Sequence, residues 1–155
     1  MSYIIMNNFF DSKLYVIKEQ TLPQNDERVS LIVFVHGKES EKVRNFIAAI
    51  LNPLHIGTNE FLVLFRESDF PTFIDLKKAY SANYFLFFDV ENADIGLQIA
   101  TRPYRPFSLL DKGILVVESP EVYFLEKETA TTPNAPRPKA RMLWESLKLL
   151  LKDFK

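Results

Sequence analysis

Four short runs of apolar residues carry no polar alternation, and they limit the fold of this chain more than any other feature. They are Val29-Ser30-Leu31-Ile32-Val33-Phe34-Val35, Phe61-Leu62-Val63-Leu64-Phe65, Tyr84-Phe85-Leu86-Phe87-Phe88 and Ile114-Leu115-Val116-Val117. A strand with one face in water alternates apolar and polar residues. A strand apolar on both faces must be covered on both, which is the condition of a parallel sheet held between helices. The segments between the runs supply those helices. Val43, Phe46, Ile47, Ile50 and Leu54 recur at helical spacing after a candidate N-cap, Ser40, and Asn52-Pro53 marks the end. Phe73, Leu76, Lys77 and Tyr80 follow Pro71 as a short second helix, and Ser119-Pro120 opens a third through Phe124 and Leu125.

The last segment has the cleanest period. Ala140, Leu143, Trp144, Leu147, Leu150, Leu151 and Phe154 lie on one helical stripe. That stripe is expected to cover the sheet with Trp144 as a core anchor rather than an exposed contact. Strands alternating with helices predict a single-domain three-layer α/β/α fold with a mostly parallel central sheet. The Pro-containing stretch Arg102 to Phe107 reads as an edge strand or extended connection, with a weaker strand-like segment at Leu97 to Ile99, and Thr129 to Pro138 reads as a loop. Residues 1–27 form an N-terminal peptide and linker, and residues 28–155 the α/β domain.

Composition narrows the chemistry. The chain of 155 residues contains no Cys, which excludes disulfides, zinc ribbons and thiol nucleophiles. A formal net charge of −1 gives no global attraction to nucleic acid or anionic membrane. No run approaches the roughly 18 apolar residues of a membrane span, and the start lacks a basic region before its short apolar run, so a soluble cytoplasmic protein is expected.

No catalytic constellation is complete in the sequence. Val33-Phe34-Val35-His36-Gly37 is like the strand and His-Gly turn before the oxyanion loop of α/β-hydrolases, but the 4 glycines never bracket a Ser as the nucleophile turn requires. Here His36 is read as ending a strand and Gly37 as supplying turn geometry. Neither a dinucleotide-binding fingerprint nor a phosphate-binding loop occurs. Asp89, Glu91 and Asp94 follow a strand and could hold a magnesium ion, though such acidic turns more often form a solvated loop. His55, beside Pro53 and Gly57, reads as a capping or surface residue. From Asn134 to Lys155 there are six basic residues against two acidic ones, so the C-terminal segment carries +4 and the rest of the chain −5. Such a patch can meet phosphates, but Lys and Arg toward a helix C-terminus also oppose its dipole.

The N-terminal stretch Asn8 to Ile17 is apolar and is followed by the polar Gln20 to Glu27. It suits a segment that folds onto a partner, and equally an edge strand or helix packed on the protein's own sheet.

The order of these elements resembles a known family. Val29 to Val35, a helix, Glu60 to Leu64, Ile114-Leu115-Val116-Val117-Glu118-Ser119-Pro120 and Lys139-Ala140-Arg141-Met142-Leu143-Trp144 together resemble the psi subunit of bacterial DNA polymerase III. The resemblance covers about Val29 to Leu150, and it implies an accessory protein of the clamp loader with no catalytic activity; no cofactor is expected. It implies an α/β body that binds a chi subunit, and through it single-stranded-DNA-binding protein, with no membrane partner. It also implies an N-terminal peptide that docks on the gamma/tau collar. By position that peptide is about Phe9 to Ile17, with Phe9, Phe10, Leu14, Tyr15 and Val16 as the candidate anchors.

Overall fold

A computed structural model of the chain describes residues 3–7, 14–18, 22, 29–97 and 102–152. The element order is β1 (Tyr3–Asn7), β2 (Leu14–Lys18), β3 (Leu31–His36), α1 (Glu41–Leu51), β4 (Phe61–Arg66), α2 (Phe73–Ala79), β5 (Tyr84–Phe88), β6 (Phe107–Leu109), β7 (Lys112–Val117), α3 (Pro120–Glu128) and α4 (Pro138–Leu150). The body sheet has five strands in the order β4-β3-β5-β7-β6. Its β3–β4, β3–β5 and β5–β7 pairs are parallel, and only the edge strand β6 runs antiparallel, against β7. This is the mixed, mostly parallel α/β domain that the apolar runs demand.

The two faces of the sheet carry separate cores, which makes the body three-layered. On one face Leu31, Val33, Val35, Leu86, Phe88 and Leu115 meet Val43, Ile47 and Leu51 of α1, Tyr123 of α3, and Leu143, Leu147 and Leu150 of α4. On the other, Ile32, Phe34, Phe85, Phe87 and Ile114 meet Phe73 and Leu76 of α2, with Tyr80 just beyond it. Alternate residues of β3 and β5 therefore point into different cores.

Helix starts follow the sequence signals. Ser40 caps α1, its hydroxyl accepting from the Val43 N–H at 3.3 Å. Thr72 and Asp75 form a reciprocal capping box on α2, each bond 3.1 Å long. Ser119 caps α3, with Pro120 in its first turn. Helix α4 differs. Its cap position is Arg137, which offers no side-chain acceptor. The carboxylate of Glu126, on α3, does the work instead, accepting from the Lys139 N–H at 2.8 Å and the Ala140 N–H at 3.0 Å. Where α4 crosses the sheet, Gly113 of β7 allows the approach, since a Cβ there would lie 3.1 Å from Leu150 and 3.0 Å from Tyr84.

One reading is settled and one expectation changes. Of the two readings of Arg102 to Phe107, residues 102–106 are a connection, and the edge strand is Phe107–Leu109, joined to β7 through Leu110 and Asp111, both at positive φ (52° and 65°). Trp144 is half-buried and stands outside both cores. The buried stripe of α4 is Leu143, Ser146, Leu147 and Leu150, continued by Leu151. Trp144 lies at its margin, and the Lys148 ammonium stands 5.8 Å from its ring centre.

Candidate functional site

At the N-terminus β1 and β2 form an antiparallel pair with Ile5 opposite Val16, Met6 opposite Tyr15 and Asn7 opposite Leu14. Three of the five candidate anchors, Leu14, Tyr15 and Val16, thus sit on β2, while Phe9 and Phe10 lie outside the described residues. The pair forms its own two-stranded sheet and contributes no strand to the body sheet, so the alternative of an edge strand on that sheet does not hold. Most of the stretch Gln20 to Glu27 lies outside the described residues. Leu22 within it is half-buried and packs against the core beneath α2.

A second candidate lies at the carboxyl ends of β3 and β5. The chain passes from β3 to β4 on one side and then to β5 on the other, and in sheets of this kind the crevice opens where the order reverses. His36 ends β3, and Asp89 follows β5 at φ 58°, an uncommon backbone conformation for a residue with a side chain. The His36 Nδ1 lies 3.0 Å from the Asp89 carbonyl oxygen and 3.6 Å from its carboxylate. A carbonyl only accepts, so Nδ1 carries the hydrogen, and in the neutral ring the lone pair is on Nε2. The edge of the His36 ring also meets Phe70, with centroids 5.0 Å apart. The other carboxylates do not join this pair. Asp94 turns back to accept from the Glu91 N–H at 3.1 Å, capping a single turn of 3-10 helix at Asn92–Ile95. Among the described residues no group of three or more His, Asp or Glu side chains is placed to hold a metal ion, so the magnesium site considered at Asp89, Glu91 and Asp94 is not assembled. His55 is exposed at φ 63° and ends the 3-10 turn after α1, as its neighbours suggested.

The third feature gave no signal in sequence. The Tyr104 hydroxyl donates to Glu118 at 2.6 Å and lies 2.8 Å from the Tyr123 hydroxyl, and Lys139 reaches the same carboxylate at 3.0 Å. The Tyr104 bond, aided by Lys139, holds the Glu118 carboxyl below the usual range against a partial desolvation penalty. Burial pushes both tyrosines well above their ordinary value; the bond to Glu118 adds to the shift of Tyr104, whereas for Tyr123 the Tyr104 bond opposes it and the Glu118 charge supports it. Tyr80 is raised by burial as well.

These shifts define a stability window. A depressed carboxyl stabilises the fold above its ordinary range and loses that contribution as pH falls through the folded-state value. Raised phenols contribute fully below about pH 10 and lose it as pH rises beyond, where the unfolded chain releases those protons first. The melting temperature is expected to be flat between about pH 5 and pH 9 and to fall on both sides. Tyr104→Phe should lower the plateau and flatten both limbs, and a variant with unaltered limbs would refute the assignment.

No family model matches this chain, and no curated protein shows significant similarity to it. Among the described residues, no helix is long and apolar enough to cross a membrane.

Proposed function

We propose that this chain is a non-catalytic accessory subunit of the bacterial replicative clamp-loader assembly, of the psi type, acting in the cytoplasm. In this reading the N-terminal segment engages the gamma/tau collar through Phe9, Phe10, Leu14, Tyr15 and Val16. The α/β body holds a chi-like partner linked to single-stranded-DNA-binding protein. One observation supports the reading above the others. Two of the stretches that carry the family resemblance, Glu118-Ser119-Pro120 and Lys139 to Trp144, form one interlocked unit over one face of the sheet. Glu118 pairs with Lys139, Ser119 starts α3, and Glu126 of α3 caps α4. Residue types that look arbitrary in sequence therefore have a common structural task, closing the domain. The separate two-stranded sheet agrees with a docking role, because a pair of strands alone presents two unpaired edges and is marginal without further packing.

The contact between His36 and Asp89 favours a rival, a small hydrolase or nuclease. It has a base on Nε2 and a strained turn, but among the described residues His36 meets Asp89 and Phe70, and neither is a serine or threonine nucleophile. A screen of the purified chain against esters, phosphoesters and oligonucleotides, with and without magnesium, separates the two readings. No turnover is expected. Turnover abolished by His36→Ala or Asp89→Asn would overturn the adaptor reading.

A further inference from the structure

Five residues of the C-terminal segment lie along α4 or at its ends. Arg141, Trp144 and Lys148 are spaced by three and four positions, which keeps them on one stripe of the helix roughly 10 Å long, with Arg137 at the N-cap and Lys152 just past the C-cap. Arg141, Lys148 and Lys152 are exposed and Arg137 and Trp144 half-buried. One acid lies beside the stripe, Glu145, bonded to Lys148 at 3.2 Å.

Helix electrostatics account for only half of this charge. Lys148 and Lys152 lie at the C-terminal end, where cations offset the dipole. Arg137 and Arg141 lie at the opposite end, where the dipole disfavours cations; the first turn of α4 has no acidic residue of its own, and the Glu126 carboxylate of α3 is engaged there by the Lys139 and Ala140 N–H groups. Lys139, in the same turn, is neutralised by Glu118, but Arg137 and Arg141 have no ion pair among the described residues. A row of cations kept partly against the dipole, with the chain's single Trp half-open among them, has the composition of a backbone-tracking surface with a stacking platform.

We infer that this edge of α4 binds single-stranded nucleic acid, with the four basic side chains on successive phosphates and a base stacked on Trp144. This goes beyond the accessory-subunit reading and does not depend on it, because it concerns the isolated chain. An anionic membrane is the less suitable polyanion. The apolar stripe of α4, Leu143, Leu147 and Leu150, is already packed on the sheet, and the exposed Met142 and Leu149 lie on the far edge from the basic row.

The test uses the full chain, a fluorescein-labelled dT20 oligonucleotide and selectively excited tryptophan fluorescence, which reports Trp144 alone. At 50 mM salt dT20 is expected to raise the anisotropy and quench the tryptophan. Log affinity should fall with log salt at a slope of about −3, near −0.7 for each of four phosphates. The Arg141→Gln/Lys148→Gln double variant, changed only at exposed positions, should keep its melting temperature, bind on the order of tenfold more weakly and lose about 1.4 of that slope. Absence of binding at 50 mM salt would overturn the inference. So would binding that leaves the tryptophan unquenched or is unaffected by the double substitution. Association with phosphatidylglycerol vesicles without binding to dT20 would assign the surface to membranes instead.

Discussion

Phe87→Ala is expected to destabilise the body by about 3–5 kcal/mol, a large part of the 5–15 kcal/mol that a domain of this size commands. Phe87 is fully buried on β5, opposite Phe34 on one side and Val116 on the other, with the Phe34 ring 6.0 Å away. Central strands on both flanks leave the site little freedom to collapse, so the cavity term adds to the lost transfer energy. Trp144→Ala removes a larger side chain but is expected to cost only about 1 kcal/mol, because the ring lies at the margin of α4 outside both cores. Urea unfolding of the two variants side by side checks the ranking. A Trp144→Ala variant as damaged as Phe87→Ala would contradict the placement of that helix.

The second large effect concerns partner binding. In the accessory-subunit reading, replacing Phe9, Phe10 and Tyr15 together by Ala in the full chain should abolish measurable affinity for gamma/tau, since large aromatics dominate interface energy and each truncated hot-spot anchor costs about 2 kcal/mol or more. The folded body should be unaffected: among the residues whose burial is described, its two cores are built from Val29 onward with Leu22 at their edge. Circular dichroism melting establishes the second half of that expectation. A coincident loss of folding and binding would make the segment structural.

The body was largely legible in the sequence because its signals are local. Apolar runs without alternation gave β3, β4, β5 and β7, and Ser40 and Ser119-Pro120 gave the starts of α1 and α3. What escaped had no local signal. The β6–β7 hairpin turns through Leu110-Asp111 at positive φ, where Asn-Gly is the usual mark, so nothing announced it. The Tyr104, Glu118, Tyr123 and Lys139 cluster assembles residues from a loop, a strand end and two helices, and only tertiary packing brings them together. The stripe of α4 was read correctly as amphipathic, but period alone does not separate a residue at the centre of the buried face, such as Leu147, from one at its margin, such as Trp144. In the candidate site, Leu14, Tyr15 and Val16 fall on a strand whose partner, β1, precedes the segment taken as the docking peptide.

Isothermal titration of the full chain into purified gamma/tau from the organism that encodes it bears most directly on the accessory-subunit reading. Saturable binding with a Kd of about 1 µM or tighter, lost in the Phe9→Ala/Phe10→Ala/Tyr15→Ala variant, is the expected result. No heat of binding from the folded full chain at concentrations of about 100 µM would contradict it.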